Sequence, residues 1–394
     1  MGYTILHITD WLLWIIMAVS VFYALFFSLT SLLPRHQSRI SPDSIPENRF
    51  LALFPAYHED SVIIHSIEAF LKQIYPAIHY QIIVISDHMQ PETNQKLASL
   101  PIMLLQPSFE QSSKAKALQY AMREVENFDY VVILDADNLV DSDFLTRLNQ
   151  ECGKGYQAIQ CHRTAKNADN AIAALDGLSE EINNNIFRKG HNRIGMSSAL
   201  IGSGMCFNFQ WFKEYVNSLD SAVEDRELEA LLMKHRIFIH YAEDINVMDE
   251  KVSNSDNFQR QRLRWMTGQV QTLLRMLPYI PKAIITGNIN YIDKTIQQAL
   301  IPRSILLILI PLFILITTLI AYLSPLTSYL SPLRWCLLLI LLCIALFIAI
   351  PRPLRNKTIF SKIFSLPRLA WKMLKNLLHI RTSNKEFIHT THNQ

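Results

Sequence analysis

Asp135 and Asp137 stand one residue apart, directly after the apolar run Tyr130-Val131-Val132-Ile133-Leu134 and directly before Asn138. A buried strand that ends this way delivers two carboxylates to the carboxyl edge of a sheet, where open α/β folds hold their ligands. Two hard oxygen donors at that edge suit a divalent cation carrying a phosphate. Asp-x-Asp is also a common solvated turn, so the pair needs company from the rest of the chain.

Other segment ends supply candidates. Phe54-Pro55-Ala56-Tyr57-His58-Glu59-Asp60 closes one apolar run and opens a helical stretch. It brings backbone N–H groups, a tyrosine ring and a carboxylate to one edge, a combination able to hold a nucleotide base and its ribose, although ordinary strand-to-helix turns read the same way. The run 81–86 ends in Asp87, which can accept a hydrogen bond from a base N–H or cap a helix starting near Glu92. Lys114 falls in the first turn of a helix opening at Ser112-Ser113. Helix N-termini favour anions, so a phosphate nearby or plain surface solvation would explain a lysine there. Val223-Glu224-Asp225-Arg226-Glu227-Leu228 starts an amphipathic helix with three acids, which is also what ordinary N-terminal charging looks like. In Gln261-Arg262-Leu263-Arg264-Trp265, Arg264 has the planar fork to grip a diphosphate and Trp265 the face to stack on a sugar ring; either could equally anchor a helix at a membrane surface.

These groups need an α/β scaffold, and the pattern provides one. Strands are expected at 50–54, 81–86, 102–105, 130–134 and 158–161, with helices near 61–74, 113–126, 141–151 and 168–189, an order that implies a largely parallel sheet. The flanks differ. Half of the 394 residues are hydrophobic and only 18% are charged, so membrane segments are expected. Residues 11–33 form an uncharged apolar run long enough to cross a bilayer, and two more runs lie at about 299–323 and 333–350. Arg35 and Arg39 follow the first run, and Arg352, Arg355, Lys357, Lys362, Arg368, Lys372 and Lys375 follow the last. The positive-inside tendency then places the amino terminus outside and the α/β domain in the cytoplasm, at the plasma (inner) membrane. The expected organisation is a transmembrane helix and basic linker (1–45), a cytoplasmic domain (46–255), interfacial helices (256–298), a transmembrane hairpin (299–351) and a basic amphipathic tail (352–394). Segments 258–276 and 360–378 mix arginine or lysine with tryptophan and leucine, in the manner of interfacial helices or of amphipathic core helices.

Net charge is +3, too mild an excess to imply nucleic acid. Cys152, Cys161, Cys206, Cys336 and Cys343 contain no C-x-x-C pair, which points to reduced, buried thiols rather than a zinc site or disulfide framework.

Taken in order, Pro55-Ala56-Tyr57-x-Glu59, Asp87, Asp135-Ala136-Asp137, Gly202-Ser203-Gly204-Met205, Glu224-Asp225 and Gln261-x-x-Arg264-Trp265 resemble the motifs of membrane family 2 glycosyltransferases, the group containing cellulose, hyaluronan and poly-N-acetylglucosamine synthases and ceramide glucosyltransferases. The resemblance implies a GT-A nucleotide-sugar-binding α/β domain with a mainly parallel sheet. It also implies roles. Pro55, Tyr57, Glu59 and Asp87 would hold uridine, with Lys114 nearby, and Asp135 and Asp137 would bind Mg2+ or Mn2+ bridging the diphosphate. Asp225, beside Glu224, would be the general base of an inverting transfer. Arg264 would face the departing diphosphate, and Gly204, Gln261 and Trp265 would face the acceptor. The chain departs from the pattern at Ser86-Asp87, where many members carry two acids, and at Val223, where threonine is frequent. The segment 384–390 resembles a terminal piece that folds back on the site in some of these enzymes.

The leading expectation is a membrane-bound transferase that moves a sugar from a UDP-sugar donor to a lipid-linked or glycan acceptor. A processive polysaccharide synthase is the alternative, and three spans are few for a polymer channel. A noncatalytic GT-A-like subunit sits poorly with an intact set of acids, and a transporter with spans so poor in ionisable groups.

Overall fold

The computed structural model describes residues 2–35, 45–167, 171–221, 223–251, 255–323 and 331–355. The segments 360–378 and 384–390 lie outside the described residues. At the centre is an eight-stranded sheet in the order β3-β2-β1-β4-β7-β6-β8-β5. Its strands are β1 (Phe50–Tyr57), β2 (Tyr80–Asp87), β3 (Met103–Leu105), β4 (Tyr130–Ile133), β5 (Leu139–Val140), β6 (Ala158–Ala165), β7 (Met205–Asn208) and β8 (Ile239–Asp249). Alternation along β1 sends Leu51 and Leu53 into one core and Phe50, Ala52 and Phe54 into the other. The first core is covered by α4 (Lys114–Arg123), α8 (Phe209–Tyr215) and α9 (Glu224–Lys234), the second by α2 (Ile63–Phe70), α3 (Pro91–Ala98) and α5 (Phe144–Cys152). Burial on both faces is why these strands read as unbroken apolar runs.

All five expected strands are present, and four of the seven pairings are parallel. The antiparallel pairings come from two short strands, β5 and β7, and β8 is a further strand outside the expected set. Strand β8 is hard to read because Glu243-Asp244 interrupts it where its register with β6 shifts, between Cys161 and His162. The helix expected at 168–189 is α6 (Ala171–Asn183), which passes through a π-helical turn at Asn184–Lys189 into α7 (Gly190–Arg193). The asparagines of that turn bond outward: Asn184 Nδ2 donates to the Arg163 carbonyl at 2.9 Å and Asn185 Nδ2 to the Ala349 carbonyl at 2.7 Å.

Among the described residues three helices are long and apolar enough to cross a membrane: α1 (Gly2–Thr30), α13 (Arg303–Leu323) and α14 (Pro332–Ala349). Met17 and Val21 pack with Leu306, Ile310, Trp335 and Leu342, while Ala24 and Phe27 pack with Leu175, Leu178 and Ile182 of α6. Many of their other apolar side chains are exposed, as lipid-facing residues would be. At the far end Asp10 pairs with Arg334 and accepts a hydrogen bond from Trp335 Nε1 at 3.0 Å. At the near end α1 docks on the α/β domain. The Phe27 ring stacks on His191 with centroids 3.6 Å apart, and Tyr23 donates to Asp293 Oδ1 at 2.7 Å. Gly190 is required there, because a Cβ would lie 2.2 Å from the Phe27 carbonyl oxygen.

The amphipathic stretch at 258–276 falls in α10 (Ser255–Met276), which packs against α9 and α12 (Ile289–Ala299). Beyond it, Leu277, Ile284, Ile285 and Ile289 are exposed, two of them on α11 (Ile280–Ile285).

Candidate active site

The carboxyl edge of β1, β2 and β4 forms the floor of the site. Parallel register sets Tyr57 directly beside Asp87. Both strands end in a histidine in the left-handed region, His58 at φ 55° and His88 at φ 56°, so each strand turns sharply at its tip. The Asp87 carboxylate accepts from His88 Nδ1 at 2.6 Å and is buried, while Gln90 supplies the N-cap position of α3. Asp87 is therefore not the cap of that helix. The Tyr57 ring clusters with the two histidines, 4.5 Å from His58 and 5.6 Å from His88 centroid to centroid, with the two imidazoles 5.7 Å apart.

At the end of β4 a tight turn presents the acid pair. Asn138 Oδ1 accepts from the Asp135 backbone N–H at 2.9 Å, and Asn138 Nδ2 donates to Asp137 Oδ1 at 3.1 Å. Ser203 Oγ also donates to Asn138, which joins this turn to the Gly202-Ser203-Gly204 turn. Gly202 and Gly204 both have positive φ, 73° and 65°, so glycine is the natural residue at each. Asp137 Oδ2 accepts the Glu250 N–H at 2.8 Å. Among the described residues no cluster of three or more His, Cys, Asp or Glu could hold a metal ion. Two carboxylates facing an open cavity fit a Mg2+- or Mn2+-type ion that takes its other ligands from phosphate oxygens and water.

Lys114 is drawn to the centre of the site. Its Nζ lies 2.5 Å from Asp135 Oδ1, 2.6 Å from the Gly202 carbonyl oxygen and 3.6 Å from Glu224 Oε1. Burial works against its charge, but Asp135 and Glu224 outweigh that and hold the ammonium above its usual range. Burial likewise opposes ionisation of Asp135 and is outweighed by Lys114, Arg163 and Arg264, so this carboxyl stays below the usual range. Glu224 goes the other way: burial and the neighbouring Asp225 raise it despite the pull of Lys114. Asp225 occupies the first turn of α9, half-buried, with one oxygen accepting the Arg226 N–H at 2.8 Å. A Cβ on Gly202 would sit 3.7 Å from its other oxygen.

Helix α10 closes the site from above. It approaches the start of α9 so closely that a Cβ on Gly268 would lie 2.5 Å from Val223 Cγ1. The Arg262 guanidinium pairs with Asp176 and stacks 4.6 Å over the Trp265 ring, which fixes that ring against the cavity. Gln261 Oε1 is shielded from solvent and has no hydrogen-bond partner among the described residues.

These groups share one cavity of about 910 Å³. It is lined by Pro55, Tyr57, Glu59, Asp87, Lys114, Asp135, Asp137, Glu224, Asp225, Gln261, Arg264 and Trp265. Gly204 is not on its wall: Gly202 takes that place, and Gly204 lies behind it, where a Cβ would meet Val247 at 2.9 Å. A buried charge cluster outside the sequence motifs also borders the cavity. Glu180 lies within 3.8 Å of Arg163, 3.3 Å of Arg188 and 3.8 Å of Lys251, and these cations overcome its burial and hold it down to about 2. Arg163 also pairs with Asp249 at 3.1 Å. Arg163, which lies in β6 just beyond the strand expected at 158–161, and Glu180, on an expected helix, carry no motif to single them out.

The model of the family described as Glycosyl transferase family group 2 matches residues 130–351, more than half of the sequence. The chain belongs to that family. It is a glycosyltransferase with a GT-A-like mixed α/β sheet, and nucleotide sugars are the donors of its class. Among solved structures it is similar to the mannosyltransferase PcManGT from Pyrobaculum calidifontis, solved with GDP-Man and Mn2+, at 15% identity and a TM-score of 0.54 over 96% of this chain and 98% of that one. It is more distantly similar to glucosyl-3-phosphoglycerate synthase from Mycobacterium tuberculosis, solved with Mn2+, UDP and glucosyl-3-phosphoglycerate, at 15% identity and a TM-score of 0.41 over 61% and 86% of the two chains. S. aureus TarS 1-349, solved with UDP-GlcNAc, gives 12% identity and a TM-score of 0.38 over 58% and 66%. At these identities the likeness is one of fold. No curated protein matches the sequence.

Proposed function

We propose that this glycosyltransferase takes a sugar from a UDP-sugar and transfers it, with inversion, to an acceptor presented at the cytoplasmic face of the plasma (inner) membrane. Tyr57, Glu59 and Asp87, with Pro55, receive the nucleoside at the tips of β1 and β2. Asp225 accepts the proton of the acceptor hydroxyl, and the freed oxygen attacks the anomeric carbon from the face opposite the diphosphate. The bond from that carbon to the diphosphate oxygen breaks, and its electron pair leaves with the nucleoside diphosphate. Lys114 and Arg264 face the charge that builds on the leaving group. Asp135 and Asp137 would hold a magnesium or manganese ion, which when bound supplies further positive charge to the diphosphate. Gln261 and Trp265 orient the acceptor, with the free Gln261 Oε1 available to an acceptor hydroxyl.

Support comes above all from the continuity of the cavity, which runs from the strand tips past Asp225 and α10 to side chains of α1, α13 and α14. A donor site and a membrane-proximal acceptor site therefore open into the same space. Glu224 is buried and faces Lys114 at 3.6 Å, whereas Asp225 is half-buried on the cavity wall, which favours Asp225 as the base.

The test uses the full chain in detergent with a panel of UDP- and GDP-sugars, Mg2+ or Mn2+, and a membrane lipid extract. Release of a nucleoside diphosphate that depends on both the extract and a UDP-sugar is expected. No release with any donor would sink the catalytic reading, and release with GDP-sugars alone would overturn the uridine assignment.

A further inference from the structure

Below Trp265 the cavity changes character. Its wall becomes Leu175 and Leu178 of α6, Leu307 of α13, and Leu346, Phe347 and Ile350 at the end of α14. These side chains belong to the helices that are long and apolar enough to cross a membrane, or to α6 packed against them. A water-filled space with such a lining is unfavourable, and an aliphatic chain entering from the bilayer would remove that apolar surface from water.

At the boundary between the polar and apolar halves stands Arg303, the first residue of α13. Its Nη2 donates to Asn183 Oδ1 at 2.7 Å and to the Ser179 carbonyl at 3.2 Å, both neutral groups. Its Nη1 is shielded from solvent and has no hydrogen-bond partner among the described residues. The acid whose field reaches it, Glu180, is already shared among Arg163, Arg188 and Lys251, and Arg262, which is also close enough to repel it, is paired with Asp176. A guanidinium held this way, with one nitrogen unpartnered and no ion-paired carboxylate among the described residues, is an incomplete anion site.

We propose that Arg303 receives the phosphoryl group of the acceptor, and that the acceptor is a phospholipid whose acyl chains occupy the apolar half of the cavity between α6, α13 and α14. This rests on the transferase reading of the same cavity and narrows its acceptor to one chemical class. Two observations combine: an apolar lining contributed by the membrane helices, and beside it the Arg303 Nη1, which has no hydrogen-bond partner among the described residues, in the cavity that also holds Asp225. A neutral glycan would leave both unused.

Native mass spectrometry of the full chain in non-ionic detergent can test this with three probes. Phosphatidylglycerol carries phosphate, hydroxyls and chains, diacylglycerol lacks the phosphate, and glycerol phosphate lacks the chains. Phosphatidylglycerol should bind saturably and about tenfold or more tighter than either of the others. Arg303→Gln should erase most of that advantage while diacylglycerol binding falls far less, and Arg303→Lys should restore part of it. Equal binding of phosphatidylglycerol and diacylglycerol by the intact chain would overturn the proposal, whether or not the variants fold. Glycerol phosphate binding as tightly as the phospholipid would assign Arg303 to a free phosphate instead, and a parallel loss of both lipids in Arg303→Gln would reduce it to a structural role. Nucleoside diphosphate binding by the same preparation reports on the transferase reading separately.

Discussion

Replacing Lys114 with methionine keeps most of the volume of the side chain and removes the one ammonium that lies between Asp135 and Glu224. The contacts are 2.5 Å and 3.6 Å. At an effective dielectric of about 20 such separations correspond to gross attractions of about 7 and 5 kcal/mol, most of which is offset by the cost of taking the three charges out of water. Asp135 keeps 35% of its side chain exposed, so water screens the pair, and the net loss should fall at or below the lower end of the range for broken buried pairs, about 2–3 kcal/mol. Thermal unfolding of the detergent-solubilised protein at pH 7.5 should show the variant clearly less stable than the parent. The pH dependence follows from the direction of the shift. Asp135 has its folded-state pKa depressed by Lys114, so its stabilising contribution is present above its unfolded pKa and is lost as pH falls through the folded one. The gap between parent and variant should therefore hold from pH 7.5 down to the ordinary carboxylate range and narrow only below it, as pH falls through the depressed folded-state value of Asp135. A variant as stable as the parent at pH 7.5, or a gap that widens on acidification, would refute the view that Lys114 balances the acids.

Further expectations concern the supports of the site. Gly268→Ala puts a methyl group where only 2.5 Å separates it from Val223, so α10 must move away from Asp225; transfer should slow on the order of tenfold to a hundredfold, with little change in nucleotide binding by calorimetry. Gly190→Ala places its methyl 2.2 Å from the Phe27 carbonyl oxygen and should loosen α1 from the α/β domain, read as a loss of about 1–3 kcal/mol in unfolding experiments. Chelation of divalent ions should abolish transfer, and added Mn2+ or Mg2+ should restore it; activity unaffected by chelator would remove Asp135 and Asp137 from the proposed metal site.

Much of this architecture was readable from residue order. The runs that became β1, β2 and β4 are apolar because both faces of the sheet are covered, and each ends in a polar residue that has nowhere to go but the open edge. Asp135, Asp137 and Asp87 were found that way. Less visible were β7 and β8: the first is four residues long and the second carries Glu243-Asp244 in mid-strand, so neither shows clean periodicity. Lys114 was ambiguous in sequence because its partners lie 21 and 110 positions away. The Glu180 cluster is invisible for the same reason, and Arg303 shows in sequence only as an ionisable group near the end of a span. Their meaning depends on which charges share a buried space, and spacing along the chain does not encode that.

The most direct measurement follows a radiolabelled sugar from its UDP-sugar donor into the organic phase of a membrane lipid extract, with the intact chain and with Asp225→Asn side by side. The account predicts labelled lipid from the intact chain and a rate lower by about a hundredfold or more for the variant, with nucleotide binding retained. Equal labelling by the two proteins would contradict it.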